Sequence, residues 1–324
     1  MNLRLIFRNK YVEAITGVFL LLGVLVVILT PDISIIKWTA SFALQTTVLY
    51  VLTGLFFLTI AQERLLFVSF FCAASLALFL KGNFNPSLKL PEKSFDSTLN
   101  IAYLKLAVVD TNKMKLYDVL KYDPDIICLS KPDSIDTSKL FKSIKGNYPY
   151  SVRFRGSSMN QVVFSKFPFI TADTILLGGD PQALYSIKFS GYKENVYILN
   201  TFLRNSIDGT RSTTYQYDLG RLIVMLRPVN SPLIVVGDFD MVSWSGELSY
   251  FKKTLGLEDS RRAFYPSLPN LFETPKDHVF YSGQFNCVDF HEFRDINGLH
   301  VGLSSEFQMK RDTMDKITQQ YNLR

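Results

Sequence analysis

Histidine and cysteine are scarce in this chain, with three of each in 324 residues. They are scattered, so no His/Cys spacing of the kind that holds zinc is present. Cys72 falls inside an apolar run, and Cys128 and Cys287 are expected to be two separate buried thiols, the usual fate of free cysteine. A basic excess is also missing over most of the length. Met1 to Lys81 carries six Lys/Arg against three acids, +3 of the overall +6, which leaves 29 basic against 26 acidic residues for the remainder. So even a balance gives no electrostatic footprint for DNA or RNA, and no nucleic-acid partner is expected.

Charge is rarest near the N-terminus. Val12 to Leu29 contains only Glu13, while Trp38 to Ile60 and Leu65 to Leu80 contain no charge at all. Runs of this kind cross a hydrocarbon core of about 30 Å, the third reaching that length only if its flanks extend it. No small-residue cleavage site follows the first run, so it reads as a retained span and not as a signal peptide. The span centres hold no ionisable residue, which favours an anchor over a transport path. Arg4, Arg8 and Lys10 keep the N-terminus cytoplasmic, and three crossings then put everything after Lys81 on the outer face. The lipid bilayer is one expected partner and a membrane protein the other, with Gly17, Gly23, Ala73 and Ala74 small enough for close helix contact.

Residues 82–98, with Asn83, Asn85, Pro86 and Pro91, have the composition of a linker. From residue 99 to 324 the pattern is that of one α/β domain. Strands are expected at Asn100–Val109, Asp125–Ser130, Gln161–Ser165, Ala183–Phe189, Asn195–Leu203 and Pro232–Val236, and helices at Lys113–Tyr122 and Thr214–Leu226. The last strand runs directly into Gly237-Asp238-Phe239-Asp240. A carboxylate pair at the carboxyl end of a buried strand is where open sheets place ligand sites, although turn chemistry explains the same residues. Arg261-Arg262 reads as a solvated turn and His291 as a lone surface or strand histidine.

The order of segments resembles the endonuclease/exonuclease/phosphatase superfamily, the fold of the exonuclease III and DNase I type. The resemblance rests on Tyr122-Asp123-Pro124-Asp125-Ile126-Ile127, Val163-Phe164-Ser165-Lys166-Phe167-Pro168, Gly237-Asp238-Phe239-Asp240 and Lys276-Asp277-His278-Val279-Phe280. It implies a four-layer α-β-β-α sandwich, which the three transmembrane helices read above would precede. Membrane relatives with outward-facing domains of this type are known in bacteria, which implies an inner-membrane protein with a periplasmic or extracellular domain.

The resemblance also implies a divalent ion, a water-activating carboxylate and a phosphate-facing histidine. Asp238, Asp277 and His300 match such positions, as catalytic residues either vestigial or residual. Leu104 and Lys131 stand where the family carries metal-holding Asn and Glu, Phe202 where it carries His, and Leu299 where it carries Asp. An ammonium opposes a hard cation, and Asp240 in place of Asn repels phosphate. The expectation is therefore a pseudoenzyme with no cofactor, in which Asp240 and Lys131 contact a ligand and the domain acts as a binding or scaffold subunit. Its rival is an active phosphoesterase using Mg or Mn held by Asp133, Asp238 and Asp240.

Overall fold

The computed structural model describes residues 7, 9–29, 39–83, 93, 97–106, 119–131, 142, 144–156, 159–177, 180–189, 194–204, 209–262, 274–295 and 297–310, with the backbone alone at 131 and 209–215. Asp133 and most of the expected helix Lys113–Tyr122 lie outside the described residues, as does most of the linker.

Among the described residues three apolar helices come first. α1 (Lys10–Leu29) and α3 (Glu63–Asn83) are long and apolar enough to cross a membrane, whereas α2 (Ala43–Thr59) is shorter. This reverses the expected ranking of the spans. A turn at Ser41 and Phe42 shortens the run that looked longest, and the third run is lengthened by its polar flanks, Glu63-Arg64 and Lys81–Asn83. The expected three transmembrane helices therefore become two of spanning length and a shorter third. The helices pack through buried polar links: Tyr50 Oη donates to Leu20 O at 2.8 Å, and Ser69 Oγ donates to Tyr50 O at 2.7 Å. Gly23 is what lets Tyr50 approach, since a Cβ there would overlap the phenol oxygen.

Among the described residues twelve strands follow: β1 (Leu99–Lys105), β2 (Ile126–Lys131), β3 (Tyr150–Phe154), β4 (Asn160–Ser165), β5 (Phe169–Leu177), β6 (Asp180–Ile187), β7 (Val196–Phe202), β8 (Leu233–Asp238), β9 (Leu257–Asp259), β10 (Asp277–Ser282), β11 (Phe285–Arg294) and β12 (His300–Met309). Helices α4 (Gly209–Leu226) and α5 (Gly246–Leu255) flank β8 in sequence. The strands form two six-stranded sheets, ordered β11-β12-β1-β2-β4-β3 and β5-β6-β7-β8-β10-β9. Pairs β1/β2 and β7/β8 are parallel, so their carboxyl ends lie together at one edge of each sheet.

Because side chains alternate along a strand, each sheet buries both faces against different layers. Ile101, Tyr103, Cys128, Ile198, Val236 and Val279 meet between the sheets. Leu199, Val235 and Phe280 turn outward onto Leu222 of α4 and Phe251 of α5. Ala102, Leu104 and Leu129 turn the other way, onto Val119, Ile144 and Tyr148. Two sheets with both faces covered match the expected mixed α/β architecture. Cys128 and Cys287 are free and fully buried, with desolvation pushing each thiol up to about 12, as two separate buried thiols require.

Candidate functional site

The gap between the sheets is apolar for most of its depth and turns polar at the carboxyl ends of β1, β7 and β8. On β8 the inward positions are Ile234, Val236 and then Asp238; on β7 they are Val196, Ile198, Asn200 and Phe202; on β1 they are Ile101, Tyr103 and Lys105. Lys105 Nζ crosses the gap and donates to Asp238 Oδ2, forming an ion pair beneath a carboxylate that is 2% exposed. The ammonium also lies 5.5 Å from the centre of the Phe202 ring, whose other cationic neighbour, Arg204, is at the same distance. Burial raises the Asp238 carboxyl above its ordinary value, and Lys105 works against that rise.

Gly237 makes this arrangement accessible to the chain. Its φ of 149° places the next carboxylate at the strand end, and Thr201 of β7 packs against it with no room for a side chain. Past Asp238 the turn is held by its own polar groups. Asp240, at φ 51°, donates its amide to Asp238 Oδ1 at 2.8 Å, and Lys276 Nζ donates to Asp240 Oδ1 at 2.6 Å.

A second charged group adjoins the first, because Asp277 is the register partner of Asp238. His300 Nε2 lies 2.5 Å from Asp277 Oδ2, and its Nδ1 is 3.5 Å from Glu292 Oε2. Arg261, 1% exposed, donates from Nη2 to Asp277 Oδ1 and to Asp277 O, both at 3.1 Å, and pairs through Nη1 with Glu292. Burial alone would raise Asp277, but the His300 cation and then Arg261 outweigh it and hold the carboxyl below the usual carboxylate range. Burial would likewise lower His300; the charge and hydrogen bond of Asp277 prevail and push it up to about 9. At neutral pH His300 is therefore a cation held between Asp277 and Glu292, with no lone pair to take a proton from water.

His278 next door behaves oppositely. Its Nε2 is 2.8 Å from Met241 O and its ring stacks on Phe280 at 5.2 Å, fully buried, so desolvation lowers it to about 4. These shifts set a pH window for stability. His300, raised in the fold, stabilises fully below its unfolded value of about 6.5 and loses that contribution as pH rises through about 9. His278, lowered in the fold, costs stability as pH falls from about 6.5 toward 4, and Asp277 adds to the loss in stronger acid. Thermal unfolding of the full chain should thus have its highest midpoint near pH 6.5 and fall on both sides, with His300→Gln removing the decline between about pH 6.5 and 9.

Under the Lys105–Asp238 pair lies a polar floor. Asn200 is fully buried with neither side-chain atom hydrogen-bonded, and Gln161 Nε2 is also without a partner, although Gln161 Oε1 accepts from Ala183 N at 3.2 Å. Tyr103 Oη belongs to the same layer, kept protonated by burial and then by the nearby charge of Asp238. Buried polar groups are costly without partners, so unpaired donors facing one gap mark a place for a polar guest.

Of the residues expected from sequence, Asp238, Asp240, Asp277 and His300 converge here. Leu104 does not: it is fully buried on the outer face of the first sheet, and its neighbour Lys105 occupies the inward position. A one-residue shift along a strand exchanges its faces, which is why the assignment slipped. Leu299 is exposed at the surface, its amide donating to Asp295 Oδ1 at 2.8 Å. Lys131 ends β2 in register with Asn160, and its side chain, like Asp133, lies outside what is described. Arg261 corrects the expectation of a solvated turn: it is the buried centre of the charged network. Glu292, Lys276 and Arg204 also escaped notice. The alternation Ile101, Tyr103, Lys105 was the one available signal, whereas Arg261 and Glu292 meet across 31 residues with nothing local to announce them. His291 is a strand residue, paired with Asp289 at 2.9 Å and packed on the Tyr122 ring.

Magnesium or manganese would need several oxygen ligands arranged around an open position. With an ammonium bound to Asp238 Oδ2 and another to Asp240 Oδ1, the residues present do not fit such an ion.

Residues 98–301 match the model of the Endonuclease/Exonuclease/phosphatase family. Among solved structures, the chain is similar to the endonuclease/exonuclease/phosphatase from Beutenbergia cavernae (14% identity, TM-score 0.53, 66% of this chain and 72% of that one). It is also similar to the human Nocturnin catalytic domain with bound sulfate (17% identity, TM-score 0.51, 66% and 95%). A third likeness is to TDP2 of D. rerio complexed with single-strand DNA product (14% identity, TM-score 0.52, 66% and 100%). At these identities the likenesses speak for the fold alone. No curated protein matches the sequence.

Proposed function

Because the chain belongs to the endonuclease/exonuclease/phosphatase family, we propose that it is a membrane-tethered member whose site binds a phosphorylated ligand through fixed cations and does not hydrolyse it. The observation that carries this reading is the Lys105 ammonium on Asp238. A divalent ion activates catalysis by polarising the phosphoryl group and by generating hydroxide from bound water. An ammonium offers charge and hydrogen bonds to phosphate oxygens but no open coordination position. His300, cationic at neutral pH, adds positive charge beside the same oxygens and is no base for water. Asp238 and Asp277 then serve to orient the two cations, and the unpaired amides of Asn200 and Gln161 supply further donors.

The apolar helices support the tether by length and composition; the basic residues before α1 favour a cytoplasmic N-terminus, and with the shorter α2 crossing beside α1 and α3 the domain lies on the outer side of a bacterial inner membrane. In that setting the domain serves as a binding or scaffold subunit with a membrane protein partner.

Calorimetric titration of the full chain in phosphatidylcholine nanodiscs with glycerol phosphate, in excess chelator, tests the site. Binding should persist without metal, fall tenfold or more in Lys105→Gln, and weaken above about pH 9 as His300 loses its proton. Binding that appears only with magnesium or manganese, or that ignores Lys105→Gln, would overturn the reading.

A further inference from the structure

The site is mechanically continuous with the apolar helices. Between β8 and α5 the chain turns through Phe239–Ser245, and its first half belongs to the site, through Asp240 on Asp238 and Met241 on His278. Its second half belongs to the helices. Val242 and Trp244 are 1% and 3% exposed, packed in one cluster with Val24 and Val27 of α1, Ala43 of α2, and Leu76 and Leu80 of α3. Trp244 Nε1 donates to Ala40 O at 2.7 Å, and Lys252 of α5 donates to Asn83 O at 3.1 Å.

These contacts fall at one end of the bundle: the close of α1, the approach to α2 and the close of α3. The soluble domain is therefore seated on the bundle by the edge that carries its site. From Asp240 to Trp244 is four residues, a span of at most about 14 Å even when fully extended. Trp244 packs at the end of the bundle, and the headgroup zone adds about 5–8 Å beyond the hydrocarbon on each side. A bundle that crosses the bilayer thus holds the Lys105–His300 mouth close to the headgroups.

We infer that the phosphate taken by this site is presented by the membrane itself, as the phosphomonoester headgroup of a lipid in the leaflet where the domain sits. The inference rests on the anion-binding reading above and adds the source of the ligand. A monoester fits because its charge approaches −2 at neutral pH, enough to compete with Asp238 and Asp277 for Lys105 and His300, whose side chains are partly exposed. The Phe239–Ser245 turn is then a positioning segment, and Trp244 fixes the distance between mouth and bilayer without touching the ligand.

The full chain is reconstituted in nanodiscs of phosphatidylcholine containing a minor share of phosphatidic acid, and lipids retained on gentle extraction are quantified by mass spectrometry. Phosphatidic acid should be enriched several-fold over its share in the disc. Lys105→Gln should abolish the enrichment, and Trp244→Ala should reduce it several-fold. Glycerol phosphate binding in pure phosphatidylcholine discs should survive Trp244→Ala, which also certifies that this variant folds; should it not, Trp244→Phe, which removes the bond to Ala40 and keeps most of the apolar packing, replaces it. Lys105-dependent binding of glycerol phosphate with no enrichment of phosphatidic acid would overturn the membrane source and leave the anion site standing. Binding in neither arm would overturn both. Enrichment that survives Lys105→Gln would place the lipid elsewhere on the bundle and overturn the inference.

Discussion

Gly237→Ala should leave the domain unable to fold. At φ 149° a Cβ would overlap the Thr201 carbonyl oxygen outright and stand 2.8 Å from the Thr201 carbonyl carbon, on a backbone that cannot swing aside. Gly237 and Thr201 are register partners in the parallel β7/β8 pair, near the middle of the second sheet. Moving β8 away would also break the bond from Leu203 N to Asp238 O, now 2.8 Å, and with it the seat of the Lys105 pair. Backbone collisions at a positive-φ glycine belong to the exceptional class of substitutions beyond about 4–5 kcal/mol, against a total stability of about 5–15 kcal/mol. Circular dichroism and yield after purification give the measurement. Gly220→Ala in α4, where a Cβ meets nothing within 4 Å, is the control and should be stabilising by up to about 1 kcal/mol.

Arg261→Met should be nearly as severe for a different reason. The guanidinium bridges two buried carboxylates, Asp277 and Glu292, and an apolar side chain in its place leaves His300 alone between both charges. Breaking a buried ion pair on one side costs about 3–5 kcal/mol. For a domain of this size that corresponds to a loss of about 6–20 °C in the unfolding midpoint. His300 should respond as well, because Arg261 now holds its value down; in the variant it should stay protonated to higher pH. Adding Glu292→Leu to Arg261→Met should restore part of the stability, since an apolar pair leaves fewer uncompensated charges. No restoration, or a midpoint unchanged by Arg261→Met itself, would mean that the network carries little of the stability assigned to it.

The strands that could be read from sequence were those with unbroken apolar runs. PLIVV and DIICLS announced β8 and β2 because both faces of a central strand are covered, and the glycine-aspartate turn after β8 marked the site. By contrast β11 holds Asp289, His291, Glu292 and Arg294, and this charge hid it, although its inward positions Phe285 and Cys287 are fully buried. In the apolar helices composition was legible and length was not, since a turn at Ser41 and Phe42 breaks a run with no charge or proline to signal it. The carboxylates and His300 could be read because motifs hold them at fixed offsets. Lys105 was missed by a single position, the error to which a two-residue period is most sensitive. Arg261 was missed because an exposed arginine pair and a buried one look alike until the partners, which are distant in sequence, are brought beside them.

The substitution of Lys105 for a metal ion is most directly tested by turnover. The full chain, purified in mild detergent, is assayed with magnesium, manganese and calcium on nucleotide, phospholipid and polyprenyl-pyrophosphate substrates beside Asp238→Ala. A site governed by the Lys105–Asp238 pair should release no product above the Asp238→Ala background with any of the three ions. Metal-dependent turnover that Asp238→Ala abolishes would contradict it.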